Sequence, residues 1–98
     1  MLQLKAEKRT LNNFKYTSGM VTTLGKFAFK YGYTEAKMKV PAGKAMWPAF
    51  WALPTDKKLW PPELDAMEVL GQQPNKVYMT VLWPLNGNPA KDVMVLKG

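Results

Sequence analysis

Three carboxylates, Glu63, Asp65 and Glu68, fall within six residues of a segment that is otherwise apolar and aromatic. The chain has only seven Asp and Glu in all, so nearly half of its acidic residues are concentrated here. Burial in such a segment raises the pKa of a carboxyl group, and neighbouring carboxylates raise it further. A fold tolerates that cost more readily when the acids perform chemistry, so the cluster indicates general acid/base or nucleophilic catalysis by carboxylates.

The spacing of the acids predicts a bulged β-strand. Side chains alternate along a strand, so Glu63 and Asp65 share a face while Glu68 would lie on the opposite one. One bulged residue near Ala66 or Met67 returns Glu68 to the face of the other two. The two glutamate backbones would then lie about 13 Å apart, and side chains leaning inward could approach the separation of about 5 Å that retaining glycosidases use.

A solvated edge strand with three acids facing water is the alternative. Four apolar residues argue against it, because they predict that one face of the strand is buried: Leu64, Met67, Val69 and Leu70.

An aromatic strand is predicted just upstream, within residues 46–53. Trp47, Ala49 and Trp51 would share one face, and Phe50 and Ala52 the other. Tryptophan faces stack well on the C–H faces of sugar rings, so this strand could line a cleft. Tryptophans buried in a sandwich core are the alternative.

Composition excludes several kinds of chemistry. The chain has no Cys and no His, so disulfides, thiolate metal sites and Ser-His or Cys-His mechanisms are ruled out. The net charge of +7 is compatible with nucleic acid, an acidic polysaccharide or simple solubility as its reason. Because the lysines are scattered along the whole chain, solubility is favoured.

The chain, residues 1–98, is predicted to be a single all-β domain in an antiparallel sandwich with few or no helices. Alternating patterns predict further strands at 20–23, 27–33, 35–40, 76–83 and 93–96. A sandwich of this kind is normally longer, so an apolar face and an edge strand would be exposed. A homodimer or a strand-swapped oligomer would cover them. No signal peptide and no membrane-spanning stretch is recognisable in this chain.

Four motifs in order resemble glycoside hydrolase family 16, the laminarinase and lichenase group. They are Tyr16 to Gly19, Lys26 to Lys39, Trp47-Pro48-Ala49-Phe50-Trp51, and Trp60 to Gly71 with its Glu-x-Asp-x-x-Glu signature. The resemblance is clearest over residues 16–83. It implies a jelly-roll (concanavalin A-like) sandwich, of which about half would be present, holding a β-glucan on one sheet. It also implies a secreted, extracellular protein.

The resemblance implies a role for each acid: Glu63 as nucleophile, Glu68 as general acid/base, and Asp65 as the helper between them. Three tryptophans would bind substrate: Trp60, Trp51 and, less closely matched, Trp47. No cofactor is implied; a structural calcium ion is compatible with the family, but its ligands cannot be placed. Two departures stand out, Leu82 where a His is usual and Ala45 where a Gly is usual.

Three functions follow as hypotheses. The first is an endo-acting β-glucan hydrolase for β-1,3 or mixed β-1,3-1,4 linkages, working by a retaining double displacement. The second is a non-catalytic β-glucan-binding module derived from such an enzyme, which Leu82 and the short length favour. The third is a binder of acidic polymers such as nucleic acid, which three carboxylates in the cleft would repel. Neither nucleic acid nor a membrane is therefore expected as a partner.

Overall fold

Four antiparallel strands form one sheet in the computed structural model, which describes residues 1–98. They are β1 (Ala49–Ala52), β2 (Glu63–Glu68), β3 (Lys76–Leu85) and β4 (Asn88–Lys97), in the spatial order β1-β2-β3-β4. The only helical element is a 3₁₀ turn at Lys57–Leu59. No helix is long and apolar enough to cross a membrane. The all-β prediction is confirmed.

The chain divides into two compact units, residues 1–30 and residues 31–98. The first unit holds two isolated bridges, Glu7 with Thr17 and Leu11 with Phe14, and no strand of the sheet. The second unit holds the whole sheet and the acidic cluster. The single partial domain predicted for residues 1–98 stays a prediction.

Three predicted strands are wrong: residues 20–23, 27–33 and 35–40 are not in strand conformation. Their alternating pattern supplies an apolar face, but a strand also needs a hydrogen-bonded neighbour, and none of these segments pairs with the sheet. Their aromatic residues are exposed accordingly, including Phe27, Tyr31 and Tyr33. The aromatic strand is shorter than predicted, since β1 begins only at Ala49.

The β3–β4 hairpin forms where turn chemistry predicts it. Asn86 and Gly87 both have positive φ, 50° and 79°, as a two-residue hairpin turn of the primed type requires. Ten residue pairs follow without a register shift, from Leu85 opposite Asn88 to Lys76 opposite Lys97. Both strands predicted here, 76–83 and 93–96, are confirmed and extended.

The sheet has two unlike faces. One carries the acidic cluster, and the other, which we call the apolar face, carries mainly hydrophobic side chains: Phe50, Ala52, Leu64, Met67, Val77, Met79, Val81, Trp83, Met94 and Leu96. Most of the apolar face is exposed, and Val69 is the single buried hydrophobic residue of the chain. The described residues therefore contain one layer of the partial jelly roll, with no second sheet packed on it.

Candidate active site

A one-residue bulge in β2 brings the three acids onto one face. Asp65 lies opposite Thr80 of β3, but Glu68 lies opposite Tyr78, so three steps on β2 match two on β3. The β1 side agrees, since Phe50 pairs with Met67 and Trp51 with Asp65. Ala66 is thus the extra residue, as the spacing predicted.

The bulge sets the separation of the two glutamates. Glu63 pairs with Leu82 and Glu68 with Tyr78, so their partners are four residues apart on the regular strand β3. That corresponds to about 13 Å along the strand, with Asp65 midway between them. Two long side chains leaning toward each other over a short aspartate can place both carboxylates on one sugar ring.

The acids and two tryptophans line an open hollow of about 230 Å³. Its lining residues come from β1, β2 and the residue before Pro48: Trp47, Ala49, Trp51, Glu63, Asp65 and Glu68. The prediction that Trp47, Ala49 and Trp51 share a face is confirmed. Trp60, the third predicted tryptophan, does not line this hollow but contacts Glu63 directly.

An indole N–H is bound to each glutamate. Trp60 Nε1 donates to Glu63 Oε2 at 2.6 Å, and Trp47 Nε1 donates to Glu68 Oε1 at 2.9 Å. In each carboxylate one oxygen therefore accepts a hydrogen bond from an indole. The sequence placed both tryptophans near the acids, but not these hydrogen bonds.

Asp65 is the buried member of the cluster, with 7% of its surface exposed. Burial, reinforced by a hydrogen bond with Glu63 and by the negative charges of Glu63 and Glu68, raises the pKa of Asp65 to about 7. Near neutral pH this aspartate is therefore protonated much of the time, and its O–H can then donate a hydrogen bond to the Glu63 carboxylate.

Close backbone packing places Trp47 beside the acids. Gly71 N–H donates to the Met46 carbonyl at 2.8 Å, and Gly43 N–H donates to the Gly71 carbonyl at 3.2 Å. A Cβ on Gly71 would lie 1.9 Å from the Gly43 oxygen, so only glycine fits there. The backbone on both sides of Trp47 is held by β2 and its continuation, since Val69 N–H also donates to the Pro48 carbonyl.

A second hollow of about 340 Å³ continues the same face across β3 and β4. It shares Trp47 and Glu68 with the first hollow and adds these residues: Leu70, Tyr78, Thr80, Lys91 and Val93. The β3 and β4 residues of this hollow were not predicted from the sequence, although the alternation of β3 opposite the acids identifies Tyr78 and Thr80. Leu82 lies opposite Glu63, so the position where a His is usual does face the acids.

No group of three or more acidic side chains is arranged to hold a metal ion. The structural calcium ion that the resemblance allows stays a prediction without assigned ligands, and the proposed mechanism uses no metal.

An antiparallel sheet that gathers two glutamates, an aspartate and tryptophans in one open hollow has the arrangement of a glycan-active β-protein. Comparison with known protein families identifies the family to which this chain belongs. The sequence profile of glycosyl hydrolases family 16 matches residues 1–97. The chain belongs to this family.

Its relatives include two endo-1,3-1,4-beta-glycanases of Rhizobium meliloti (strain 1021). ExsH is 48% identical over 77 residues, which is 79% of this chain and 16% of ExsH. EglC is 53% identical over 70 residues, which is 71% of this chain and 15% of EglC. The beta-1,3-glucan-binding protein of Penaeus monodon is 42% identical over 59 residues, covering 56% of this chain and 16% of that protein. The chain thus spans about one sixth of the length of these relatives, and no solved structure matches it significantly.

Proposed function

We propose that the chain carries the catalytic centre of an endo-acting β-glucan hydrolase that retains configuration at the anomeric carbon. The observation that carries this proposal is the bulge at Ala66, because it puts Glu63, Asp65 and Glu68 on one face in a tryptophan-lined hollow. Without the bulge, the two glutamates would lie on opposite faces of the sheet and could not act on one bond.

In the first step of the proposed mechanism, a Glu63 carboxylate oxygen attacks the anomeric carbon while Glu68 gives its proton to the departing glycosidic oxygen. The C–O bond to the leaving sugar breaks, and a glycosyl ester forms on Glu63. In the second step Glu68 takes a proton from water, whose oxygen attacks the same carbon and releases Glu63. Two displacements restore the original configuration.

Asp65 has a supporting part in this scheme. Its raised pKa makes it a carboxylic acid near neutral pH, able to donate a hydrogen bond to Glu63. That bond orients the nucleophile during the attack and stabilises its negative charge when the ester is released.

The substrate class we propose is a β-glucan with β-1,3 or mixed β-1,3-1,4 linkages. The two Rhizobium relatives are endo-1,3-1,4-beta-glycanases, which supports this substrate class, and so do the flat faces of Trp47 and Trp51 in the hollow. Such polysaccharides are found outside cells, so we also propose an extracellular site of action.

A second candidate is a glucan-binding module without turnover. Leu82 favours it, because an apolar side chain lies opposite Glu63 where family members usually have a histidine. The likeness to the Penaeus monodon glucan-binding protein also favours it.

Hydrolysis and binding assays on the same protein separate the two candidates. The enzyme proposal predicts new reducing ends from laminarin or mixed-linkage glucan with the wild-type chain, and none with Glu63→Gln. Glu7→Gln, an exposed acid outside the hollow, serves as the matched control and should keep full activity. Circular dichroism should give the same β signal for all three proteins. Retardation in a β-glucan gel without any hydrolysis from pH 4 to 8 would select the binding module instead.

A further inference from the structure

Trp47 occupies a position that substrate stacking alone does not explain. It lies between the two hollows and lines both of them, as does Glu68. Its indole N–H donates to Glu68 Oε1 at 2.9 Å, a side-chain contact across 21 residues of sequence. This bond joins the indole nitrogen of a side chain that is 67% exposed to one oxygen of the glutamate.

The neighbouring residues allow the hydrogen bond between Trp47 and Glu68 to form. Ala49 lies directly opposite Glu68 on β1, so no bulky side chain stands between the glutamate and the indole. The close approach of Gly71 to Gly43 and Met46 holds the backbone immediately before Trp47. Both features bring the indole nitrogen to the glutamate.

We infer that Trp47 is a positioning residue for Glu68, which it holds through the indole N–H, and that stacking on sugar is secondary. The inference rests on the proposed acid/base role of Glu68. A glutamate on a strand can rotate about three side-chain bonds, and a general acid must lie within hydrogen-bond reach of the oxygen it protonates. A misplacement of about 1 Å can lower the rate about 100-fold, so a fixed carboxylate matters more for turnover than for binding.

Two substitutions separate positioning from stacking. Trp47→Phe keeps a flat aromatic face and removes only the N–H donor. If Trp47 positions Glu68, Trp47→Phe should lower kcat about 10- to 100-fold and change KM less than about threefold. The reason is that the Glu68 carboxylate is no longer held in place while the sugar still binds. Stacking predicts the reverse, with Trp47→Phe near wild type and Trp47→Ala raising KM.

Trp51→Phe is the matched control. Trp51 lines the same hollow, but its indole makes none of the side-chain hydrogen bonds found at Trp47 and Trp60. Because it removes no hydrogen bond to an acid, this substitution should lower kcat at least about fivefold less than Trp47→Phe does. Equal losses of kcat in Trp47→Phe and Trp51→Phe would overturn the inference.

A measurement without substrate keeps this test separate from the proposed function. In a ¹H–¹⁵N spectrum the four tryptophans give four indole resonances, which Trp→Phe variants assign. Glu68→Gln should move the Trp47 resonance upfield by removing a charged acceptor, and it should leave Trp51 in place. An unmoved Trp47 resonance overturns the inference even in an active enzyme. A wild-type chain with no hydrolysis refutes the proposed function, while the resonance still reports whether Trp47 holds Glu68.

Discussion

At the scale of single residues, Asp65 links the protonation of the site to the stability of the sheet. Its pKa in the folded chain is about 7, against an ordinary value of 3.8. The folded state therefore binds the proton more tightly than the unfolded state does. The stabilisation is fully present below pH 4 and is lost as the pH rises through 7. A difference of about three pKa units corresponds to at most about 4 kcal/mol.

Asp65→Asn should remove most of that pH dependence, because an amide keeps the donor and never ionises. We expect the free energy of unfolding of the wild type to fall between pH 4.5 and pH 7.5, and that of the variant to change less. Urea unfolding followed by tryptophan fluorescence measures both. Asp92→Asn, an exposed acid on β4, should behave like the wild type. If the free energy of unfolding depended on pH in the same way in the wild type and in Asp65→Asn, protonation of Asp65 would not control the stability of the sheet.

Leu82 stands where the resemblance implies a histidine. It lies opposite Glu63 on β3 and cannot offer a hydrogen bond to the carboxylates. We predict that Leu82→His raises kcat about 3- to 30-fold on mixed-linkage glucan. This is less than the roughly 100-fold or more that a general acid or base contributes, because the histidine would only assist the acids. Leu82→Phe, which is large but apolar, should give no gain. A histidine variant no faster than the wild type would show that this position is not what limits turnover.

The arrangement of the acids was predictable residue by residue, since the alternation of a strand and one extra residue between Asp65 and Glu68 decide it. The hydrogen bonds from Trp47 and Trp60 were not predictable, because they depend on the side-chain orientations that the folded sheet imposes. The proton affinity of Asp65 was predictable only in direction, because its burial depends on the neighbouring strands.

At the scale of the elements, the turn before β1 explains why glycine is usual at the position of Ala45. Ala45 has φ of 70°, in the left-handed region where a Cβ is strained. Met46 N–H closes this turn on the Gly43 carbonyl at 3.1 Å. Because this turn lies directly before Trp47, a change in its backbone conformation would also affect the position of Trp47 beside the acids.

Ala45→Gly should relieve the strain and raise the free energy of unfolding by about 0.5–1 kcal/mol, the left-handed cost less the added freedom of glycine when unfolded. Ala52→Gly in β1 is the control and should lower it by about 0.5–1 kcal/mol, because no left-handed strain is relieved there. Urea midpoints of the two variants test this directly. A destabilised Ala45→Gly would contradict the left-handed assignment.

Strands were predictable where the chain supplies both partners in sequence. The Asn86-Gly87 turn joins β3 to β4, and the acidic strand lies next to β3. The alternating segments at 27–33 and 35–40 have the composition of strands, but pairing is not a local property, and neither segment is a strand of this sheet.

At the scale of the whole molecule, the apolar face is a large surface without cover. Leu64 is 50% exposed and Met94 61%, and only Val69 is a buried apolar residue. Exposed hydrophobic patches of this kind mark association sites. The expected homodimer or strand-swapped oligomer remains our prediction for how this chain covers it.

We expect sedimentation equilibrium to give a mass of at least two chains at micromolar concentration. Met79 and Met94 are cross-strand partners near the centre of the apolar face. Replacing both with Lys should shift the equilibrium toward the monomer by at least tenfold. Met20→Lys, at an exposed residue in the other unit, should leave it unchanged. A monomeric wild type would contradict the prediction.

The anomer that is released first shows whether Glu63 and Glu68 act as the retaining pair that we propose. Proton NMR during hydrolysis of a β-glucan oligosaccharide resolves the α and β anomers before they interconvert. We predict that the β anomer appears first with the wild-type chain, and that no product appears with Glu63→Gln. Release of the α anomer first, or continued release by Glu63→Gln, would contradict the claim.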